Sequence, residues 1–428
     1  MSLMNSPVIS LTQQRSTTSL HTVAGMLTSA LSASSSSIIL AEGDEEVVKA
    51  EGLRHTEIRL DARHYKQPTF ATKVLNCLRS LKVPTWTAAD ISADDVSIFK
   101  VSGSLTNAVF FVSSTRAGCR TVLLRIYGAS SGSLISRPRE LHTLHMLSSR
   151  YRFGPRVYGT FSNGRVEEYF ESTTLTAADL RDPKISRWIG ARMADLHSVD
   201  IEAIEGKGWE IAVKANIRSW IAPADDVLAL AEFPAALRSE LDFPRFKTEW
   251  DLYMSRLSSL ENLPKGSRRV FAHNDTQYGN LLLLTEEKKI PDHRQLIVVD
   301  FEYAAPNPAA YDLANHWNEW MFNYHSDTPH LPDLSRYPVE SERYNLYRAY
   351  LEHSAEELSE CEISERLPCL DEQVQLWNAA SHAWWAVWGI VQAREDVEGQ
   401  IVEPEFEYLK YAQARMTAFR VALKTLGL

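Results

Sequence analysis

The stretch His273-Asn274-Asp275-Thr276-Gln277-Tyr278-Gly279-Asn280, with Asp300-Phe301-Glu302 twenty residues further on, has the residue types and spacing of a phosphoryl-transfer centre. A carboxylate such as Asp275 can meet an acceptor hydroxyl, and an Asn five residues later can turn back toward a magnesium ion on the phosphates. A second carboxylate, Asp300, completes such a site, because hard cations take oxygen ligands and leave part of the octahedron to water and phosphate. Either acid alone reads as well as a loop or turn residue. Together, with the apolar strands Leu281–Leu284 and Leu296–Phe301 between them, they favour the functional reading.

The other half of such a centre must hold phosphates. Ser102-Gly103-Ser104-Leu105-Thr106-Asn107 lies between two strand patterns, where a tight turn can present backbone N–H groups to oxyanions. One glycine in a hairpin is by itself only a turn. Arg125, near the end of the next strand, can carry the phosphate-facing charge that a Lys carries in protein kinases, with Glu140 on the following helix as its orienting partner. A surface salt bridge is an equal reading of those two residues on sequence alone.

These motifs, in the order GSLTNAVF, VLLRIYG, FGPRVYGTF, VFAHNDTQYGNLLLL, LIVVDFEYAAPNPAAYDLANHWNEW, WWAVWGIVQA and EYLKYAQAR over about residues 95–420, resemble the choline/ethanolamine kinase family in its fungal form. The resemblance implies an α+β, bilobal eukaryotic-protein-kinase-like fold, with a small antiparallel-sheet N-lobe and a large, mainly helical C-lobe. It implies ATP-dependent phosphorylation of choline, the first step toward phosphatidylcholine, with ethanolamine as a further acceptor. Asp275 would be the base, Gln277 would lie close to the transferring phosphate, and Asn280 and Asp300 would hold Mg2+. The ATP side would include Ser102, Gly103, Ser104, Thr106, Asn107, Arg125 and Glu140. Many relatives have two glycines in the phosphate loop where this chain has Ser102-Gly103, which puts the loop contacts in question.

Choline carries a permanent positive charge without N–H donors, so aromatic faces and carboxylates must recognise it; each ring contributes roughly 0.5–2 kcal/mol. Six of the eleven tryptophans fall between positions 317 and 388. Trp385 and Trp388 are three apart on one helix, and Tyr408 and Tyr411 repeat that spacing on the next. By resemblance, Tyr324, Trp385, Trp388, Phe406 and Tyr411 form the choline pocket with Glu319 as an acidic wall. The competing reading is a core stripe of Trp377, Ser381, Trp384 and Trp388; we place Trp385 and Trp388 in the cage and Trp384 in the core. Asp312 is placed either to cap its helix or to brace the catalytic loop, and His273 to hold that loop by hydrogen bonds.

The elements that position these residues follow from periodicity. A helix at Phe70–Leu81, strands at 96–101, 108–113 and 120–127, a helix at 139–149 and strands at 156–158 and 165–170 make a small sheet with one inserted helix. Beyond residue 175 the pattern is helical: Ile185–His197, Phe243–Leu260, Tyr311–Phe322, Glu342–Leu358 and a series from Asp371 onward. The expected division is a tail at 1–60 without a packing face, an N-lobe at 61–172 and a C-lobe at 173–428. The acid-free, hydroxyl-rich residues 1–41 suit a mitochondrial transit peptide in part, but Arg15 is their one Lys or Arg, and a flexible tail is the better reading.

Composition sets the outer limits. The formal charge of −10 argues against a nucleic-acid partner. No run of 18 apolar residues predicts a membrane span. Cys77, Cys119, Cys361 and Cys369 are too scattered for a zinc site and read as reduced thiols of a cytoplasmic chain. A homodimer is compatible with the resemblance. The alternatives are an ethanolamine kinase, an aminoglycoside-type phosphotransferase, which would not need the tryptophan pair, and a choline-binding pseudokinase, which normally lacks the base, the Asn or the metal Asp.

Overall fold

Side-chain alternation builds the first lobe. In this computed structural model, which describes residues 52–103, 107–127, 136–261, 266–354, 356–399 and 406–428, six strands form one sheet in the order β1-β5-β6-β4-β3-β2. They are β1 (His55–Thr56), β2 (Val96–Gly103), β3 (Asn107–Ser114), β4 (Val122–Tyr127), β5 (Val157–Phe161) and β6 (Gly164–Glu168). Every neighbouring pair is antiparallel except β1 and β5. Successive residues of a strand point to opposite faces. Phe110, Val112, Leu124, Ile126 and Val166 therefore pack under helix α1 (Pro68–Ser80), against Phe70, Val74 and Leu78. Val109, Phe111 and Leu123 face the other way and, with Arg125, Arg165 and Glu167, line a cleft.

The expected boundary at residue 60 falls inside this lobe. His55 and Thr56 pair with Thr160 and Phe161, and Leu60 is buried with its backbone N–H and C=O both bonded to the Asn163 amide. Such a segment has no apolar period to read, because backbone pairing rather than a side-chain stripe holds it.

Helix α2 (Arg137–Arg150) leads into the second lobe, contributing Leu141, Leu144 and Leu147 to its core. That core is built on α3 (Pro183–His197), α4 (Ala212–Ala229), α5 (Phe243–Glu261), α6 (Ala309–Glu319), α7 (Glu340–Glu352), α8 (Glu360–Gln392) and α9 (Tyr408–Thr425). Helix α4 has no counterpart in the sequence reading. Pro223 lies inside it and normally signals a break, but Val213, Ile217, Trp220, Ala224 and Val227 form a buried stripe that holds it. Helix α8 starts eleven residues before Asp371, at a capping box in which Ser359 and Glu362 satisfy each other's backbone N–H.

Two small sheets carry the chemistry-bearing turns. Strands β7 (Ser172–Thr174), β9 (Leu281–Leu284) and β10 (Leu296–Val298) form one; β8 (Arg269–Ala272) and β11 (Ala305–Pro308) form the other. Every residue of α6 is buried beneath them, so its polar side chains need partners. Among the described residues no helix is long and apolar enough to cross a membrane.

Candidate active site

The loop leaving β8 is held from below by one face of α6. Asp312, Asn315, His316 and Glu319 recur at helical spacing on that face. The Asp312 carboxylate accepts the backbone N–H of His273 at 3.0 Å and of Asn274 at 2.7 Å, and a bond from His197 Nε2 at 2.9 Å. Burial opposes its ionisation, yet the bond from His197, backed by the loop N–H groups, keeps its pKa below the ordinary value. Asp312 thus braces the loop and does not cap its helix, whose first turn follows Pro308. Asn315 donates to the Asn274 carbonyl at 3.1 Å, and His316 Nδ1 to the Thr276 carbonyl at 2.7 Å.

This bracing supports two non-glycine residues in the left-handed region, Asn274 and Asp300, both at φ 66°. Asn274 is locked there by donating to the Tyr303 carbonyl at 2.8 Å and accepting from Asn307 at 2.8 Å. His273 donates from Nε2 to the Val299 carbonyl at 3.0 Å and accepts the Asp275 N–H on Nδ1 at 3.3 Å. An Nδ1 that accepts an N–H is unprotonated, and burial lowers the ring's pKa in the same sense, so the imidazole joins the two acid-bearing turns. Gly154, at φ +73°, lets the first lobe approach the second of these turns; a Cβ there would stand 2.6 Å from the Phe301 ring.

Three carboxyls converge on the loop. Asn280 Nδ2 donates to Asp275 Oδ2 and to its carbonyl, both at 2.9 Å, which leaves the Asn280 amide oxygen for another ligand. Burial, then the charges of Glu319 and Asp300, push the Asp275 pKa well above the ordinary value. Burial raises Asp300 to about 6, and burial followed by the Asp300 charge raises Glu302 strongly. Half-buried acids lining one cavity favour a cation or a proton among them.

Two cavities meet at Asp300. One, of about 860 Å³ including its open mouth, runs under the first lobe and is lined by Val109, Phe111, Leu123, Arg125, Asn280 and Asp300, among others. The other, of about 460 Å³, is lined by the polar residues Asp275, Gln277, Asp300 and Glu302 and by the rings of Tyr303, Tyr324, Trp385, Trp388, Phe406 and Tyr411. The rings stand edge to face: Trp385 and Trp388 have centroids 5.3 Å apart at 81°, and Phe406 and Tyr411 5.3 Å apart at 63°.

Residues 98–420 match the profile of the family described as choline/ethanolamine kinase. The chain belongs to that family. It is similar to the choline kinase of Schizosaccharomyces pombe, at 34% identity over 84% of this chain and 90% of the relative. It is also similar to a probable choline kinase of Arabidopsis thaliana, at 31% identity over 85% of this chain and 95% of that one. Among solved structures, a choline kinase from Cryptosporidium parvum shares the fold at a TM-score of 0.66 and 23% identity, covering 82% of this chain and 95% of its own. The bilobal, protein-kinase-like architecture expected from sequence is the one these neighbours have.

In this choline/ethanolamine kinase family member the site residues fall into three groups. Asp275, Gln277, Asn280 and Asp300 come together, with Gln277 Oε1 accepting the Gly279 N–H at 2.8 Å to shape the turn that presents Asn280. Tyr324, Trp385, Trp388, Phe406 and Tyr411 share the aromatic cavity. Both tryptophans are also tied to scaffold: Trp385 N–H donates to Asn315 at 2.7 Å and Trp388 N–H to the Tyr303 hydroxyl at 2.8 Å. Trp384 is fully buried against Trp220. Of the phosphate-loop residues, Gly103 and Asn107 are placed by backbone pairing with Ala108 and Tyr127, and Ser102 follows a register shift in β2; Ser104 and Thr106 lie outside the described residues.

Two expectations need correction. Glu319 does not line the cavity. It is buried behind the rings, ion-paired with Arg415 and accepting the Tyr324 hydroxyl at 2.5 Å, because a carboxylate on a helix buried all round must be neutralised there. Glu140 is not the direct partner of Arg125: it contacts Arg165 at 2.6 Å, while Arg125 Nε stands 3.4 Å from Glu167.

Sequence reasoning assigned no role to Glu302, Tyr303, Asn315, His316, Arg165 or Glu167. The spacing Asp312-Asn315-His316-Glu319 in YDLANHWNEW was a readable signal of a polar helix face; the cross-strand placement of Arg165 was not. For a divalent cation, the candidate oxygens are the Asn280 amide oxygen, in the wall of the first cavity, and the Asp300 carboxylate, in the walls of both. Among the described residues no group of three or more His, Cys, Asp or Glu has metal-holding geometry, so phosphate and water would have to supply the rest of a shell, as magnesium prefers.

Proposed function

We propose that the protein transfers the γ-phosphoryl group of ATP to the hydroxyl of choline, giving phosphocholine and ADP, and that ethanolamine is a second acceptor. The observation that carries this reading is the meeting of two unlike cavities at Asp300, one with apolar strand side chains and the Arg125–Arg165 pair in its wall, the other lined by aromatic rings and carboxyls. ATP lies in the first by this reading, with Arg125 toward its phosphates. Choline lies in the second, its trimethylammonium among Trp385, Trp388, Tyr324, Phe406 and Tyr411, and its hydroxyl toward Asp275.

Asp275 takes the hydroxyl proton as the choline oxygen bonds to the γ-phosphorus and the bridging oxygen leaves with ADP. Burial and the neighbouring acids raise its affinity for a proton, which favours acceptance by the ionised carboxylate. Asn280, by donating to Oδ2, fixes the carboxyl orientation. Mg2+ held by Asn280 and Asp300 would neutralise charge on the phosphates. The phosphocholine formed would enter phosphatidylcholine synthesis.

The aromatic ring also separates this reading from an aminoglycoside-type acceptor, and the joint presence of Asp275, Asn280 and Asp300 from a pseudokinase. Measuring ADP release with choline, ethanolamine and an aminoglycoside tests it: turnover is expected with the first two, and turnover confined to the third would overturn it.

A further inference from the structure

Arg125 and Arg165 are directly opposite each other on β4 and β6, on the face that lines the nucleotide-side cleft. Like charges placed so destabilise a sheet, and removing them from water adds to the cost. Glu140 on α2 and Glu167 on β6 balance the pair, but unevenly. Arg165, only 1% exposed, reaches Glu140 and Glu167, each at 2.6 Å, and donates to the Tyr127 hydroxyl at 3.2 Å. Among the described residues Arg125 has one ion-pair partner, Glu167, at 3.4 Å, and its buried Nε makes no hydrogen bond.

We propose that Arg165 is a positioning residue for the nucleotide: by engaging both carboxylates it withholds them from Arg125 and keeps that guanidinium available to phosphate oxygens. This rests on reading the cleft as the ATP site. Two acids at 2.6 Å on different elements suit the planar fork of Arg, whereas the single ammonium of Lys is a point charge that spans them poorly. With Arg165 gone, Glu167 is left facing Arg125 and Glu140 is left with Arg125 and Arg137, so both acids draw Arg125 away from the cleft. The choline cavity shares Asp300 with the cleft, but none of Arg125, Glu140, Arg165 and Glu167 lines it.

The test uses the full chain and measures the Kd of MgADP by calorimetry together with KM for ATP and for choline. Arg165→Met is expected to weaken MgADP and raise the ATP KM about tenfold, the worth of one charge-assisted contact, with the choline KM unchanged. Adding Glu140→Gln to Arg165→Met removes one competing acid and should recover part of that loss. A merely structural arginine would instead lower the melting temperature of the variants while leaving the MgADP affinity of the folded protein unchanged. Arg165→Lys, which keeps the charge and so guards against misfolding, should fall between wild type and Arg165→Met. Unchanged MgADP affinity in the folded single variants, or a double variant weaker than Arg165→Met, overturns the proposal. Failure of the wild type itself to bind MgADP would instead refute the reading of the cleft.

Discussion

Trp388 offers the sharpest perturbation of the substrate cavity, because it is both a wall and a buried scaffold residue. Its ring lies 5.3 Å from Trp385 and 6.0 Å from Tyr411, and its N–H donates to Tyr303 at 2.8 Å. Trp388→Ala removes one desolvated ring from around the ammonium, about 2 kcal/mol, which corresponds to a rise of roughly thirtyfold in the choline KM. The same variant should lose about 3–5 kcal/mol of stability, because the side chain is 4% exposed. A lowered melting temperature therefore decides nothing. Trp388→Phe keeps a ring and loses the bond to Tyr303, so it should recover most of the choline KM. Ethanolamine retains N–H donors that Asp275 or Glu302 can accept, so its KM should rise less and the choline-to-ethanolamine ratio should fall. Steady-state kinetics with both acceptors at saturating ATP measures this. Equal losses for both acceptors, or a shift of the ATP KM as large as that of choline, would refute the cage.

Asp300 should show a trade of stability against function. Its carboxyl is raised to about 6 by burial, so the folded state holds the proton more tightly than the unfolded state, and the ionised group costs stability above pH 6. That cost disappears as pH falls toward 4. In chelator, Asp300→Asn should thus be about 1–3 kcal/mol more stable than wild type at pH 8, the lower end allowing for a half-buried carboxyl, and equal to it near pH 4. Denaturant curves at both pH values would show this, and a gap independent of pH would contradict it. At the other end of the molecule, a chain beginning at residue 62 loses β1, the buried Leu60 and the bonds from Arg54 and Asn163. It should be about 1–3 kcal/mol less stable than a chain beginning at residue 52, and equal melting of the two would show that these contacts contribute nothing.

Much of the loop at 273–280 was legible because its residue types suit phosphoryl-transfer chemistry and lie close together in the chain. Asp275, Asn280 and Asp300 are separated by one strand pair, and local spacing conveys that. The aromatic cavity was legible only through resemblance, since Trp384, Trp385 and Trp388 all lie on one helix and no period separates wall from core. Glu319 was misplaced because a helix buried on every side has no solvent face to mark; an acid there can face a ligand or an internal cation, and Arg415, ninety-six positions away, decides it. The pairing of Glu140 with Arg165 escaped for a related reason: both Arg125 and Arg165 point into the cleft, and sheet register alone brings them opposite each other. Helix α4 was hidden by Pro223, whose local cost is outweighed by the buried stripe on either side of it.

The central claim is that Asp275 accepts the proton of an acceptor hydroxyl bound beside the aromatic cavity. Asp275→Asn tests it most directly, because the amide oxygen can still accept from Asn280, which now bonds the carboxylate at 2.9 Å, while proton acceptance is lost. Phosphocholine formation from choline and MgATP should fall by about 10²–10⁴ in kcat, with the Kd values of choline and MgADP within a few-fold of wild type. Near-normal turnover by Asp275→Asn would contradict the account.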